Sequence, residues 1–316
     1  MTSLDPREEV ARRLGLTEVT PLRFASPGDV RERLAAQEYL SDDAIASVVY
    51  LADRLAKPVL VEGPAGTGKT SLAQAVADAT GARLIRLQCY EGLDESKALY
   101  EWNYRKQLLR IQADRAGVEA VEQKDGWSKI GQDIFDEEFL LERPLLAAIR
   151  SRKSAVLLVD EVDRMEVETE ALLLEILSDF QVSVPELGTI AAESLPLVFL
   201  TSNGTRDLSE ALKRRCLFLY IDYPTPEREL EILEQKVPGL NSHLANQIVG
   251  FIAGLRSLDL KKSPSISESL DWARALLEMG IVSLDDPVVP DTLHLLLKYR
   301  SDVEAGIKEL TPSSRS

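Results

Sequence analysis

Gly63-Pro64-Ala65-Gly66-Thr67-Gly68-Lys69-Thr70 satisfies the pattern G-x-x-x-x-G-K-[ST] in full. That pattern grips phosphate when a strand leads into it and a helix leads out. Pro58-Val59-Leu60-Val61-Glu62 before it is a short apolar run and reads as a buried strand; Ser71 to Ala79 after it is rich in Ala, with Leu72 and Val76 at helical spacing. The glycines let the backbone curl so that several N–H groups point inward at phosphate oxygens. The helix N-terminus adds its positive end. Lys69 is expected to reach the β- and γ-phosphates of a nucleotide, and the Thr70 hydroxyl to ligate Mg²⁺. Gly63, Pro64, Ala65, Gly66, Thr67, Gly68 and Ser71 complete the expected binding stretch. The alternative is a glycine-rich turn that binds nothing, and the flanking strand and helix weigh against it.

The chain has 316 residues, room for one large domain or two smaller ones. Its 45% hydrophobic and 28% charged content is that of a soluble globular protein. No segment approaches about 18 consecutive apolar residues, so no membrane-spanning helix is expected. The charged stretch Met1 to Arg13 lacks the apolar core of a secretory signal. Cys89 and Cys216 are isolated and form no C-x-x-C, which fits free, buried thiols in a reducing cytoplasm. His243 and His294 have no ligand-spaced neighbours, which argues against a zinc site. The net charge of −15, from 52 acidic and 37 basic residues, weighs against general nucleic-acid binding, which depends on neutralising phosphates. It fits an acidic surface that keeps a protein soluble.

Residues 1–20 read as a polar arm. Ser41-Asp42-Asp43 caps a helix with Ile45, Val48, Val49, Ala52 and Leu55 on one stripe, which Lys57-Pro58 ends. Further strands are expected at Arg83 to Tyr90, Ala155 to Val159, Leu197 to Thr201 and Leu217 to Ile221, with a helix at Glu168 to Asp179. Gln181-Val182-Ser183-Val184 and Gly188-Thr189-Ile190-Ala191 read as a small hairpin turned at Pro185 and Gly188. Residues 91–142 are charged with scattered aromatics, Trp102 and Trp127 among them, and read as decoration on the core. Strands alternating with helices argue for a parallel sheet covered on both faces. After Pro224-Thr225-Pro226 only helical periods remain, at Arg228 to Gln235, Ser242 to Leu255, Ser267 to Met279 and Pro290 to Tyr299.

Ala155-Val156-Leu157-Leu158-Val159-Asp160-Glu161 is an apolar strand ending in two carboxylates, about 90 residues after the glycine loop. In that order, Asp160 is expected to hold Mg²⁺, mostly through water, and Glu161 to polarise an attacking water as general base. A solvated acidic turn is the competing reading. Val198-Phe199-Leu200-Thr201-Ser202-Asn203 ends another strand in small polar residues. Asn203 either orients the attacking water or forms an ordinary turn with Gly204. Arg214-Arg215, before the last strand, either reaches a neighbouring subunit's nucleotide as an arginine finger, with Arg215 preferred over Arg214, or is a solvated cationic helix end.

The order of these motifs resembles the AAA+ ATPases: glycine loop, Asp-Glu after a strand, Asn after the next strand, an arginine pair, then helices. The stretch from Asp160-Glu161-Val162-Asp163-Arg164 to Ala171-Leu172-Leu173-Leu174-Glu175, the hairpin that follows, and Tyr223-Pro224 resemble the MoxR branch. Glu101-Trp102-Asn103-Tyr104-Arg105-Lys106-Gln107-Leu108 and the helix around Trp272 resemble its CoxD-like members. The resemblance covers about residues 25–285. It implies a three-layer αβα core with a parallel five-stranded sheet, followed by a small all-helical lid. The domains would be an arm at 1–20, a nucleotide-binding domain at 21–225 with a helical insertion at about 91–142 and a pre-sensor hairpin at about 181–191, and a lid at 226–316. It further implies ATP and Mg²⁺ as cofactors and a ring, commonly a hexamer. A partner with a von Willebrand factor A domain and a client metalloenzyme, of the molybdenum hydroxylase kind, are implied as well.

One stretch departs from that pattern. Many relatives carry an arginine at the start of a lid helix, and here Glu268 stands near that position in Ser265-Ile266-Ser267-Glu268-Ser269-Leu270-Asp271-Trp272. Arg274 lies further along the same helix. Two other function classes compete with an ATP-driven remodelling protein. One is a nucleotide-switched interaction module with little turnover, which the lid departure favours. The other is a DNA-associated AAA+ protein, such as a helicase loader or restriction translocase, which the acidic balance opposes.

Overall fold

In the computed structural model of the protein, residues 5–16, 20–117 and 135–310 are described. Its largest sheet has five strands: β1 (Val59–Glu62), β2 (Arg83–Gln88), β5 (Ala155–Asp160), β8 (Leu197–Ser202) and β9 (Leu217–Tyr220). They lie in the order β2-β5-β8-β1-β9. β2 pairs in parallel with β5, and β5 in parallel with β8. Every residue of β5 and β8 is buried, which is why both read as unbroken apolar runs rather than as an alternation. The polar residues of these strands, Asp160, Thr201 and Ser202, stand at the strand ends. Parallel strands require crossovers, so the helices between them fall on the faces of the sheet and the loops after the strands gather at one edge.

The described residues divide into two compact units. The first takes in those of 1–37, 41–61 and 73–219. Its core runs from Leu60 through Leu157 and Val159 to Leu200 and Leu212. Truncating one such side chain, as in Leu157→Ala, removes about 2–5 kcal/mol. This core reaches further than the composition of 91–142 indicates: Leu93, Leu99, Trp102, Phe139 and Leu140 are buried in it. Two short strands, β3 (Tyr100–Trp102) and β4 (Leu140–Glu142), pair antiparallel there, and Trp102 packs edge-on against Phe135. These aromatics are core, a correction to the reading of them as decoration. Trp127 and the middle of the expected insertion lie outside the described residues.

The arm is also more ordered than its polarity indicates. Helix α1 (Pro6–Leu14) is capped by Asp5, and its Arg7 is buried against Asp53 at 3.3 Å. Asp53 belongs to helix α3 (Asp43–Leu55), and it also holds Arg23 at 2.9 Å. Two buried guanidiniums on one buried carboxylate are costly to desolvate and costlier to separate, so this cluster fixes where the arm lies. The hairpin forms as expected from β6 (Gln181–Val184) and β7 (Gly188–Ala191).

The second unit comprises 38–40, 62–72 and 220–310 among the described residues. Its helices are α10 (Pro226–Lys236), α11 (Ser242–Arg256), α12 (Ile266–Glu278), α13 (Val289–Leu296) and α14 (Arg300–Leu310). They share one apolar core, with Leu233, Ile252, Trp272, Leu276 and Leu293 fully buried. Trp272 Nε1 donates to Thr292 Oγ1 at 2.7 Å, so the largest core side chain also leaves no polar atom unpaired. α12 starts where Ser265 and Glu268 form a reciprocal capping box.

Candidate phosphate loop and carboxylate pair

The glycine loop belongs to the second unit. Gly63 has φ +154° and sits so close to the Ile221 carbonyl that an added Cβ would fall 1.9 Å from its oxygen. Gly66 (φ +75°) and Gly68 (φ +93°) hold left-handed conformations that other residues adopt only with strain. Helix α4 (Lys69–Thr80) begins directly after them. Lys69 is buried, and its ammonium donates to the carbonyls of Gly63 at 2.7 Å and Pro64 at 2.6 Å. Thr67 Oγ1 also donates to Pro64, at 2.9 Å. A buried ammonium inside a curl of backbone at a helix start is the chemistry a phosphate needs, so the loop fits the group it is expected to bind. Thr70 is half-buried, while Ala65 and Ser71 are exposed.

The two carboxylates belong to the first unit. Asp160 is buried; its Oδ1 accepts from the Thr201 hydroxyl at 2.5 Å, and its Oδ2 accepts from Arg86. Glu161 takes the left-handed conformation at φ +55°, unusual for a residue with a Cβ. What holds it there is Thr201 again, whose Oγ1 accepts the Glu161 N–H at 2.9 Å. Its side chain meets Gln88 Nε2 at 3.1 Å and Arg164 Nε at 3.4 Å. Asp163, also buried, accepts from the N–H groups of Asn203 and Thr205 and from the Thr205 hydroxyl, at 3.2, 3.0 and 2.6 Å. Burial alone would raise its pKa, but the Thr205 and Asn203 hydrogen bonds outweigh burial and lower it. Beside this cluster the buried Cys89 thiol is pushed up to about 12, first by burial and then by Asp160, Asp163 and Glu161.

The structure thus brings Asp160, Glu161 and the Asn203 backbone together at the ends of β5 and β8. Thr70 in the second unit and Asp160 in the first each carry a hard oxygen donor, and among the described residues there is no cluster of three or more acidic, His or Cys groups for a closed metal cage. The arginine pair divides. Arg215 Nε donates to Ser178 Oγ and its NH1 to the Ala211 carbonyl at 2.8 Å, so Arg215 is tied to its own chain. Arg214 is 80% exposed beside Glu210, at 3.7 Å. Arg274 pairs with Asp271 at 3.2 Å, and Glu268 with Lys262 at 2.6 Å. Sequence reasoning missed four residues: Arg86, Gln88, Thr201 and Asp163. The signal for the first two was polar side chains alternating within the otherwise apolar Arg83–Gln88 strand.

A family model described as AAA domain (dynein-related subfamily) matches residues 58–216. The chain belongs to the AAA domain family. The match spans the glycine loop, the carboxylate pair and the arginine pair of this AAA protein. An uncharacterized protein of Staphylococcus haemolyticus is 24% identical over 247 residues, 76% of this chain and 83% of the other. Another from Staphylococcus saprophyticus is 22% identical over 246 residues, 74% of this chain and 81% of the other. Among solved structures, the RuvB Holliday junction branch migration motor of Thermotoga maritima aligns at TM-score 0.43 and 18% identity, over 87% of this chain and 73% of that one. A mutant of the same protein aligns at TM-score 0.46 and 18% identity, over 88% and 73%. No helix among the described residues is long and apolar enough to cross a membrane.

Proposed function

We propose that this AAA protein hydrolyses ATP and uses the energy to remodel a client protein. The observation that carries this reading is the strained Glu161, held at the end of β5 by Thr201 next to the buried Asp160. A backbone kept in a sparsely allowed conformation by its surroundings marks a site where the direction of the side chain it carries matters more than stability. Lys69 and the loop N–H groups bind and orient the phosphates, and Thr70 and Asp160 hold Mg²⁺. A metal held there would supply positive charge against the phosphate oxygens. Glu161 takes a proton from the attacking water, which Asn203 helps to orient. Arg214, the freely exposed member of its pair, is the better placed to reach a neighbouring subunit, with Arg215 behind it.

The finer reading follows the resemblance: a cytoplasmic MoxR-type, CoxD-like member that assembles into a ring, commonly a hexamer. It would act with a von Willebrand factor A partner on a client metalloenzyme. Replacing Glu161 by Gln should preserve ATP binding and lower turnover by about 10²–10⁴-fold. Unchanged turnover would remove the proposed base. A nucleotide-switched module with little turnover is the second reading. It is favoured by the engagement of both carboxylates by Arg86, Gln88 and Arg164. Strong stimulation of turnover by a partner supports remodelling, whereas nucleotide-dependent association without turnover supports the switch.

A further inference from the structure

We propose that Lys262 is a cation for the terminal phosphate of a nucleotide on the glycine loop, and that Glu268 latches it until that phosphate arrives. The proposal rests on the nucleotide reading of residues 63–70. Its starting point is where α12 begins. A Cβ built on Gly66 would lie 2.4 Å from Ser265 Oγ and 3.6 Å from Ser267 Oγ, so the first turn of α12 touches the middle of the loop. That turn therefore packs directly against the loop read as the phosphate grip.

Glu268 closes the turn. Its Oε2 accepts from the Ser265 N–H and hydroxyl, each at 2.8 Å, which leaves Oε1 for the Lys262 ammonium at 2.6 Å. A carboxylate this close to a phosphate grip repels the ligand unless a cation neutralises it. Lys262 supplies that cation, and it does so from an anchored loop: the buried Asp302 accepts from the backbone N–H groups of Lys261 and Lys262, each at 3.2 Å. The backbone is therefore fixed while the side chain is 43% exposed and free to swing on its flexible stem. Burial acts to raise the Glu268 pKa, but the Lys262 and Ser265 bonds outweigh it and lower the value, so the carboxylate is charged at neutral pH. A triphosphate carries more charge and more acceptor oxygens than one carboxylate, and so competes for the ammonium; a diphosphate lacks the terminal group. Arg274 is a poor substitute, being six residues along and about 240° around the helix from Glu268, where it is held by Asp271.

The test uses the full chain and competition against a fluorescent nucleotide, with ADP and a non-hydrolysable ATP analogue as probes. Lys262→Met should weaken the analogue about tenfold relative to ADP, the loss of one charge-assisted contact. Lys262→Arg should restore most of that. Glu268→Gln keeps the capping bonds without the charge and should tighten the analogue several-fold relative to ADP. Thermal midpoints near wild type show that the variants fold. If Lys262→Met shifts both nucleotides equally or neither, Lys262 is not the cation; if Glu268→Gln leaves the ratio unchanged, there is no latch. A wild-type chain that binds neither probe, or binding that survives Lys69→Ala, would instead sink the reading of the loop.

Discussion

Thr201→Val tests whether one hydroxyl holds both carboxylates. Valine matches threonine in shape but neither donates nor accepts. Thr201 is buried, and its hydroxyl donates to Asp160 and accepts from the Glu161 N–H. The substitution removes a hydrogen bond to a buried carboxylate and orphans a backbone donor. Each loss is worth about 1–3 kcal/mol, and partial relaxation of Glu161 from its left-handed conformation recovers about 1–2. The expected net destabilisation is about 1–4 kcal/mol. Urea unfolding with an unchanged slope gives that number directly. Thr201→Ser keeps the hydroxyl and drops a methyl, and should cost about 1 kcal/mol. ATP turnover should fall in the valine variant with nucleotide affinity intact, because Glu161 loses its direction rather than the loop its grip. If valine is within about 0.5 kcal/mol of wild type while serine is worse, methyl packing and not hydrogen bonding holds this site.

Gly63→Ala should abolish nucleotide binding, because its Cβ would meet the Ile221 carbonyl at 1.9 Å, while Gly81→Ala, at φ +63° with open space around it, should cost only about 1 kcal/mol by thermal unfolding. The depressed pKa of Asp163 means that its stabilisation is complete above its unfolded value, near about 3.9, and is lost as pH falls through the lower folded value. Asp163→Asn should therefore be less stable at pH 7 and lose less further stability in an acid titration followed by circular dichroism. Arg214→Ala should leave the unfolding midpoint within about 0.5 kcal/mol of wild type yet lower assembled turnover by about 10³-fold, whereas Arg215→Ala should also destabilise the chain, because it cuts the ties to Ser178 and Ala211.

The centre of the sheet was legible because β5 and β8 are buried on both faces. Val156 to Val159 and Leu197 to Leu200 are apolar without interruption, and polar residues mark where each strand ends. The glycine loop was legible for a different reason: Gly63 is held so close to another backbone that no side chain fits, so geometry dictates the residue. What escaped was contact across long sequence separations. Nothing local in Arg86 or Thr201 indicates that parallel pairing brings them to Asp160, 74 and 41 residues away. The aromatics of 91–142 were misread because charged neighbours such as Glu101 and Lys106 dilute the apolar pattern, although Trp102 and Phe139 are buried. Sequence alone ranks Arg215 above Arg214, and nothing local to the pair reveals that Ser178, 37 residues earlier, ties Arg215 to its own chain.

The two carboxylates are held with unequal strength, and the inequality matches their proposed tasks. Asp160 is buried and fixed by the buried Thr201 hydroxyl and by the half-exposed Arg86 guanidinium, so it is held by two partners where solvent screens only one of them. A metal ligand benefits from such fixity. The Glu161 backbone is locked, but its carboxylate is 37% exposed and meets Arg164 at 3.4 Å, an exposed contact worth about 0–1 kcal/mol. A base must leave its partners to take a proton, and at that cost thermal motion releases it readily. In the proposed reaction the Glu161 side chain is therefore the easier of the two to redirect, through Arg164 or through Gln88 on β2, which also accepts from Arg86 at 2.7 Å. Acting on Asp160 would mean breaking its ion pair to Arg86 on β2 or its hydrogen bond from Thr201 on β8, contacts that also join β5 to its two neighbours.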